Sequence, residues 1–490
     1  MKKLTVIAAT AFLAAGMPQK TEAKVELPDI FSDHAVLQQQ SDARLWGWAK
    51  PGSVVTVTPS WSGVRTEAKA DAKTGKWTAA VATPAASYTP YTIEISDSDG
   101  AVTLSDVLVG EVWFCSGQSN MEMPLRGYGF QPVEGAGEAI AYSGRYPGIR
   151  MANVPKKQAY TPQEKVEGKW QVSSPANAGE FSALAYFYAR ALTDILDVPV
   201  GIINCSYGGS KAEGWMPKEI LDTYPGYDMD KEEKDKDYNE YHRIGVMYNA
   251  MLLPLSGYTV KGFLWNQGES NVGLHDEYPS HQKDMVEHWR SLWGQGELPF
   301  YFVEIPGWNY GDPDGDSAAL FRESQHKAAR ITPASGIVCT SDLVYPFETD
   351  DIHARKKKEI GERLAFMAGR RTYGLEGIPD QYPAYKSVQL NGDTAVISLQ
   401  SPWSGLNPYK DMPGFEVAGD DHVFYPAKAD QVQDDKYQFS IVVSSDKVKD
   451  IKAVRYNFKN FAVGEIHDML GLPLVPFRTD DWTDARSAAE

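Results

Sequence analysis

The sequence predicts an α/β protein, with a three-layer α/β/α domain on a parallel sheet and a β-sandwich-like domain on either side of it. Between residues 107 and 375, apolar strand-like runs alternate with amphipathic helical stretches, and this alternation is typical of a parallel sheet covered by helices. Before and after that region, short β-prone runs are separated by Pro, Gly, Asp and Ser turns, the pattern of a sandwich. A chain of 490 residues is also too long for one ordinary domain.

The first residues indicate an exported protein. Lys2 and Lys3 precede an apolar run that is too short to span a bilayer, and the small residues up to Ala23 offer a cleavage site. We therefore expect a periplasmic or extracellular location. The expected organisation is a signal peptide over 1–23, an amino-terminal β domain over 24–106, the α/β domain over 107–375 and a carboxyl-terminal β-rich region over 376–490.

Composition excludes several classes of partner. The net charge is −17, and loss of the signal peptide, with three Lys and one Glu, takes it to −19. Such a surface repels nucleic acid and anionic lipid. No other stretch approaches the ~20 apolar residues of a membrane-spanning helix. The three cysteines lie in apolar runs without CxxC spacing, so we expect buried thiols, no metal and no cofactor.

Four polar motifs stand where predicted strands of the central region end. Ser119 follows the run EVWFC, Gly209 follows IINCS, Gln267 follows FLWN, and His353 comes last, before a predicted helix. Ligands bind at the carboxyl ends of parallel strands, so we expect these motifs to meet.

The four motifs together supply the parts of a serine hydrolase. A serine nucleophile needs a base and donors for the oxyanion. A glycine exposes a bare backbone N–H, a side-chain amide is another donor, and an acid shortly before a histidine can hold its tautomer. Taken alone, a serine after a strand is usually a turn residue.

The same residues resemble the sialate O-acetylesterase family, a branch of the SGNH/GDSL hydrolases. The likeness is carried by CSGQSNME, YGGSKAEGWM, KGFLWNQGESN and DIHARKKKEIGERLA, with LPDIFSDHAVLQQ near the start and LPLVPFRTDDW near the end. It implies an SGNH-type domain beside β domains, which hydrolyses acetyl esters of carbohydrates without metal or cofactor.

The resemblance also implies roles for single residues. Ser119 is the nucleophile, its N–H, the Gly209 N–H and the Gln267 amide form the oxyanion hole, and His353 is the base. Asp351 is the favoured orienting acid, although SGNH relatives often place the acid three residues before the histidine, which is Asp350 here. Two more expectations concern neighbouring residues. Ala354 stands where the family usually has Pro, and Glu269 should brace the Gln267 loop from behind.

Other functions compete with this interpretation. The alternative from another functional class is a catalytically dead glycan-binding protein. The retention of both Ser119 and His353 argues against it. The enzymatic runner-up is an acetylxylan or other plant-polysaccharide acetyl esterase. Trp46 and Trp48 alternate around Gly47 in a β run, which favours core packing over a sugar platform. The sequence leaves the acetylated sugar, the hydroxyl position and the oligomeric state open.

Overall fold

The computed structural model describes residues 25–236, 239–400, 405–434 and 439–488. The predicted signal peptide lies outside these residues. Within them, no helix is both long and apolar enough to cross a membrane.

The amino-terminal part forms two layers of strands around an apolar core. Leu45 and Val81 of one layer lie in the same buried cluster as Val57 and Ile95 of the other, as strict alternation along short strands requires. The strands are β1 Val36–Gln38, β2 Asp42–Trp48, β3 Val54–Pro59, β4 Thr66–Lys69, β5 Lys76–Ala82 and β6 Ser87–Asp97.

Strand β7, Gly100–Gly117, joins this part to the central sheet. Its first half pairs with β1 and β6, and its second half is the middle of the central sheet. It therefore runs without a break across residues 106 and 107, where the sequence pattern placed a domain boundary.

The central sheet has the order β13-β12-β11-β7-β10-β8-β9. All neighbours are parallel except β9, which runs antiparallel to β8 at the edge. The new strands are β8 Ile149–Asn153, β9 Trp170–Val172, β10 Val200–Ser206, β11 Gly262–Asn266, β12 Phe300–Val303 and β13 Ser335–Val338. The helices are α1 Ser119–Glu122, α2 Ala136–Tyr142, α3 Ala183–Leu196, α4 Lys218–Leu221, α5 Met229–Lys234, α6 Tyr278–Trp293, α7 Ser317–Ile331 and α8 Lys357–Arg371.

Helices cover both faces of this sheet. On one face Trp113 of β7 packs in one cluster with Leu184 of α3 and Leu364 of α8. On the other face Phe114 packs against Trp289 of α6 at a ring-centroid distance of 6.0 Å. Adjacent residues of β7 thus serve opposite cores, and the predicted three-layer α/β fold is confirmed.

Capping fixes where α3 begins. Ser182 precedes the helix, and its hydroxyl accepts a hydrogen bond from the Ala185 N–H at 3.2 Å, which satisfies one of the free donors of the first turn. A serine just before an apolar run of helical spacing is the sequence signal of such a start.

The carboxyl-terminal part is β-rich. It contains a four-stranded sheet, β14-β15-β20-β19, and a five-stranded sheet, β23-β21-β17-β18-β24. The strands are β14 Ala384–Asn391, β15 Thr394–Gln400, β16 Leu406–Asn407, β17 Phe415–Ala418, β18 Val423–Pro426, β19 Lys428–Gln433, β20 Phe439–Ser444, β21 Ala453–Tyr456, β22 His467–Asp468, β23 Phe477–Arg478 and β24 Arg486–Ser487.

Candidate active site

The turn after β7 places Ser119 at the carboxyl edge of the sheet. Gly117 has a φ of 137°, and a Cβ there would come within 2.0 Å of the Asn266 carbonyl oxygen, so glycine alone fits. The turn is held by the Gln118 N–H, which donates to that same oxygen at 2.9 Å. Ser119 begins α1 and is half-buried.

The glycine loop after β10 lies against Ser119. A Cβ on Gly208 would be 3.5 Å from the Ser119 Cβ, and the Gly208 N–H donates to Glu122 Oε2 at 2.5 Å. Gly209 has a φ of 78°, in the left-handed region that glycine adopts freely. Within the described residues, neither the Gly209 N–H nor the Ser119 N–H donates a hydrogen bond to another group. Two adjacent backbone donors are therefore available to an anion.

The imidazole of His353 is held in one tautomer. Its Nδ1 lies 2.8 Å from Gln131 Oε1, and an amide oxygen only accepts, so Nδ1 carries the hydrogen. Nε2 then has the free lone pair, and in the part of the chain that the structure describes this buried atom has no hydrogen-bond partner. Tyr128 connects the imidazole to Ser119, because its own ring stands edge-on to the imidazole at 5.2 Å and its hydroxyl donates to the Ser119 carbonyl oxygen at 3.3 Å.

The contact between Ser119 Oγ and His353 Nε2 is not closed in this structure, since Nε2 has no partner. Catalytic hydrogen bonds are often long in the free enzyme and tighten when substrate binds.

Neither aspartate contacts the imidazole, contrary to the expectation that one of them does. Asp351 Oδ1 accepts from the His353 backbone N–H at 3.0 Å and from Gln131 Nε2 at 2.8 Å. The Gln131 amide thus stands between this carboxylate and the ring. Asp350 points elsewhere, because its Oδ1 accepts from Asn309 Nδ2 at 2.5 Å. Asp351 therefore contacts the imidazole only through the Gln131 amide, and Asp350 does not.

Burial and a neighbouring cation keep His353 neutral. Burial, with the positive charge of Lys357, lowers the pKa of His353 to about 4, and the negative charge of Asp351 opposes this. Burial likewise lowers the pKa of Lys357 to about 8. The imidazole is therefore neutral over all but acidic pH, which is the form that a general base requires.

The side chain of Asn120 ties the serine and histidine loops together. Asn120 directly follows Ser119, and its Nδ2 donates to the carbonyl oxygen of Ile352, the residue before His353, at 3.0 Å. The same nitrogen donates to Glu269, and Asn120 Oδ1 accepts from Lys357 Nζ. Burial raises the pKa of Glu269. Glu269 therefore braces the residue beside the nucleophile, a contact that the sequence did not predict.

The Gln267 amide is used inside the protein. Its Nε2 lies 2.7 Å from Asn271 Oδ1, 3.1 Å from the Ser210 carbonyl oxygen and 3.2 Å from Gln118 Oε1. The amide has two hydrogens for these three acceptors, and the residue is fully buried. In this conformation the structure does not direct it to an oxyanion, and its contacts instead fix Gln118, next to the nucleophile.

The remaining expectations concern the cysteines and metal-binding groups. Cys115, Cys205 and Cys339 are buried free thiols. Among residues 25–236, 239–400, 405–434 and 439–488, no group of three or more His, Cys, Asp or Glu side chains is arranged to hold a metal ion.

Sequence comparison identifies the family. The family model described as carbohydrate esterase, sialic acid-specific acetylesterase, matches residues 109–368, which is more than half of the chain. The chain belongs to this family. The match begins in β7 and ends within α8, so it spans every residue of the site described above.

Individual relatives of this carbohydrate esterase are similar to it over most of the chain, beyond the residues that the family model matches. The sialate O-acetylesterase of Mus musculus is 26% identical over 444 residues, which covers 79% of this chain and 80% of the relative. The enzyme of Homo sapiens is 26% identical over 421 residues and covers 79% of each. A crystal structure of a carbohydrate acetylesterase from Xanthomonas citri superposes with a TM-score of 0.81 at 33% identity, covering 94% of this chain and 100% of that one.

These matches confirm the predicted family and the predicted enzyme class. The protein is a carboxylic ester hydrolase of the carbohydrate O-acetylesterase type. The individual roles of Ser119, His353, Gly209, Gln267 and Asp351 stay predictions.

Sequence reasoning missed four residues of the esterase site: Tyr128, Gln131, Asn120 and Lys357. A signal existed for Lys357, since it shares one face of α8 with the apolar Ile360 and Leu364 at positions i, i+3 and i+7. A lysine on the apolar face of a helix is expected to be buried. Gln131 gave no such signal, because it lies in a loop without regular spacing.

Proposed function

We propose that the protein removes O-acetyl groups from carbohydrates through an acyl-enzyme formed on Ser119, with His353 as general base and acid. The observation that carries the proposal is His353 Nε2: it is unprotonated and unpartnered, in a loop that Asn120 fastens to the nucleophile. An unpaired buried nitrogen is costly unless function uses it.

In the first step Ser119 Oγ attacks the acetyl carbonyl carbon while His353 Nε2 accepts the hydroxyl proton. The carbonyl oxygen becomes an oxyanion, which the free N–H groups of Ser119 and Gly209 stabilise. The bond from carbon to the sugar oxygen then breaks, and the imidazolium returns its proton to that oxygen. The sugar leaves with a free hydroxyl, and the acetyl group stays on Ser119.

The second step repeats this chemistry with water. His353 takes a proton from water, the resulting hydroxide attacks the acetyl-serine, and the serine oxygen leaves with the proton from the imidazolium. Gln131 and Asp351 serve both steps, because they keep the hydrogen on Nδ1.

The test is hydrolysis of p-nitrophenyl acetate by the full chain and by Ser119→Ala. We expect the variant to fold and to lose turnover by several orders of magnitude, as no other nucleophile is positioned to replace it. Ser98→Ala, which changes an exposed serine of the amino-terminal part, is the matched control. Full activity of Ser119→Ala would overturn the proposal, and an inactive natural chain would favour the glycan-binding alternative.

Sialosides are the first substrate class to test, because the mammalian relatives are sialate O-acetylesterases. Acetylated plant polysaccharide is the second, since the Xanthomonas citri relative is a carbohydrate acetylesterase, a class that is not confined to sialic acid. Acetate release from 9-O-acetyl sialosides and from acetylated xylo-oligosaccharides, measured side by side, separates the two. We expect a ratio of kcat/KM well away from one.

We also propose export to the periplasm or beyond, on the charged start, apolar run and cleavage site within residues 1–23. Amino-terminal sequencing of the mature protein should begin near Lys24. A mature chain that retains Met1 would contradict this.

A further inference from the structure

A groove lined by tryptophan lies between the amino-terminal strands and the catalytic part. Strand β2 pairs with β5 so that Trp46 stands opposite Thr78 and Trp48 opposite Lys76. Leu45 and Gly47, the residues before and between them, are buried, so alternation places both indoles on the other face of β2. On that face Trp46 packs against the edge of the core, and both indoles remain partly exposed. The groove in front of them has a volume of about 420 Å³.

The opposite wall belongs to the catalytic part. It consists of residues 162–164 and of residues 253, 254 and 256. Lys76 Nζ meets Glu164 Oε1 at 2.5 Å across the groove, so two of its charges neutralise each other. Arg44 on the same face of β2 adds a guanidinium, which donates hydrogen bonds but accepts none.

The exposure of the two indoles argues against a purely structural role. Trp77 on the neighbouring strand is 2% exposed and belongs to the core, whereas Trp46 and Trp48 are only half-buried. Trp46 contacts Phe31 edge-on at 4.6 Å, and Trp48 is covered on one face by Lys165 Nζ, 4.4 Å from its ring. The predicted core packing is therefore correct in part, because Trp46 packs against the core cluster whereas both indoles keep an exposed fraction that lines the groove.

One segment connects this groove to the active site. Lys156 Nζ bonds Glu122 Oε1 at 2.8 Å, and Glu122 holds the Gly208 N–H. Six residues later, Pro162 lines the groove. Six residues span at most about 22 Å, and the Lys156 side chain that reaches Glu122 adds several ångströms. The groove and the glycine loop are therefore at most on the order of 30 Å apart, a distance that one extended oligosaccharide can bridge.

We propose that this groove binds a segment of a neutral glycan chain while an acetyl group of the same chain lies at Ser119. The apolar C–H face of a sugar ring stacks on an indole, and its hydroxyl groups bond the polar rim, the usual division of labour in a ligand cleft. The ligand is neutral because the ion pair of Lys76 and Glu164 leaves no cluster of like charge. The inference rests on the proposed function, since it assigns that site a polymeric substrate.

The test is affinity electrophoresis of full-length Ser119→Ala, which leaves substrates intact, in native gels containing xylan, glucomannan, galactomannan or polysialic acid. We expect retardation by at least one neutral polysaccharide, and at least tenfold weaker retardation when Trp48→Ala is added. Trp48→Phe should restore much of it. Trp61→Ala is the matched control, because Trp61 is a half-buried indole in the turn after β3. It contacts Tyr91 at 5.5 Å and does not line the groove.

Several outcomes would overturn the proposal. These are no retardation by any neutral polysaccharide, retardation by polysialic acid alone, or equal losses in Trp48→Ala and Trp61→Ala. Hydrolysis of p-nitrophenyl acetate separates this proposal from the proposed function. In chains with Ser119 intact, Trp48→Ala should leave that activity unchanged, and failure of the natural chain to hydrolyse the ester would refute the active site while leaving glycan binding to be judged on its own.

Discussion

Replacement of Lys357 by Met should move the acid limb of the pH–rate profile upward. The pKa of His353 falls from the ordinary 6.5 to about 4, mainly through burial and next through the charge of Lys357. Met keeps the buried volume and removes the charge, so the larger contribution stays and the smaller one is lost. We expect the pKa of His353 to rise by about one unit, to about 5.

The direction and size of the change in the pH–rate profile follow because the neutral form of His353 acts as the base. Activity rises with pH through the pKa of His353, and kcat/KM reports this pKa in the free enzyme. At pH 5, about nine-tenths of the natural enzyme has neutral His353, against about half of the variant. The variant should therefore show about half of its own plateau value of kcat/KM at pH 5.

The assay is kcat/KM for p-nitrophenyl acetate between pH 3.5 and 8, with folding checked by circular dichroism at each pH. The midpoint is the readout rather than the plateau, because Lys357 also donates to Asn120 and its loss should lower the plateau. Lys358→Met is the matched control, since Lys358 is exposed and its Nζ lies 3.9 Å from Glu362 Oε1. A folded Lys357→Met enzyme with its midpoint at or below that of the natural chain would refute this account of His353.

Three further predictions concern the groups around the base and the nucleophile. Asp351→Asn should lower kcat by less than about a hundredfold, because an asparagine oxygen still accepts from the backbone N–H of His353. Where an aspartate contacts the histidine ring directly, the same change costs about ten-thousand-fold. A loss of that full size would show that Asp351 reaches the ring during turnover. Gln131→Ala should cost more than Asp350→Asn, as Gln131 contacts Nδ1 and Asp350 bonds Asn309; the reverse order of kcat values would contradict the tautomer assignment. Gly208→Ala should lower kcat at least tenfold, since its Cβ would lie 3.0 Å from Glu122 Oε2 and 3.5 Å from the Ser119 Cβ. Gly137→Ala is the control and should match the natural enzyme, because a Cβ there meets no atom within 4 Å.

The fold was largely predictable because each layer leaves a periodic pattern. The apolar runs of β7, β10 and β11 and the start of α3 at its Ser182 cap follow from hydrophobic spacing and capping alone. The continuity of β7 was not predictable, because residues 100–106 and 107–117 both have strand character and only their partners differ. Pairing is a property of the whole chain, so a local pattern cannot supply it.

The residues of the site also divide into those that sequence motifs indicate and those that only the tertiary structure reveals. Ser119 directly follows β7, and His353 lies in the loop between β13 and α8, on the side of the sheet where topology places ligand-binding groups. Gln131 belongs to a loop whose residues Tyr128 and Gln131 bond each other through their backbones, and it reaches His353 only because that loop folds over the ring. The sequence therefore points to the residues that are proposed to react, and the tertiary structure decides which residues contact them.

The indirect acid has a physical rationale in the burial of the base. A carboxylate directly on Nδ1 would stabilise the imidazolium and raise the pKa of His353, whereas the Gln131 amide fixes the same tautomer without a full negative charge. Lys357 acts in the same direction, because its charge further disfavours the imidazolium. The cost is weaker stabilisation of the imidazolium that forms as Ser119 attacks. Weaker stabilisation of the imidazolium slows an esterase less than a peptidase. An alkoxide is a better leaving group than an amide anion, so acyl transfer from an ester has the lower barrier. The arrangement therefore favours a base that stays unprotonated in acid over one with the greatest basicity.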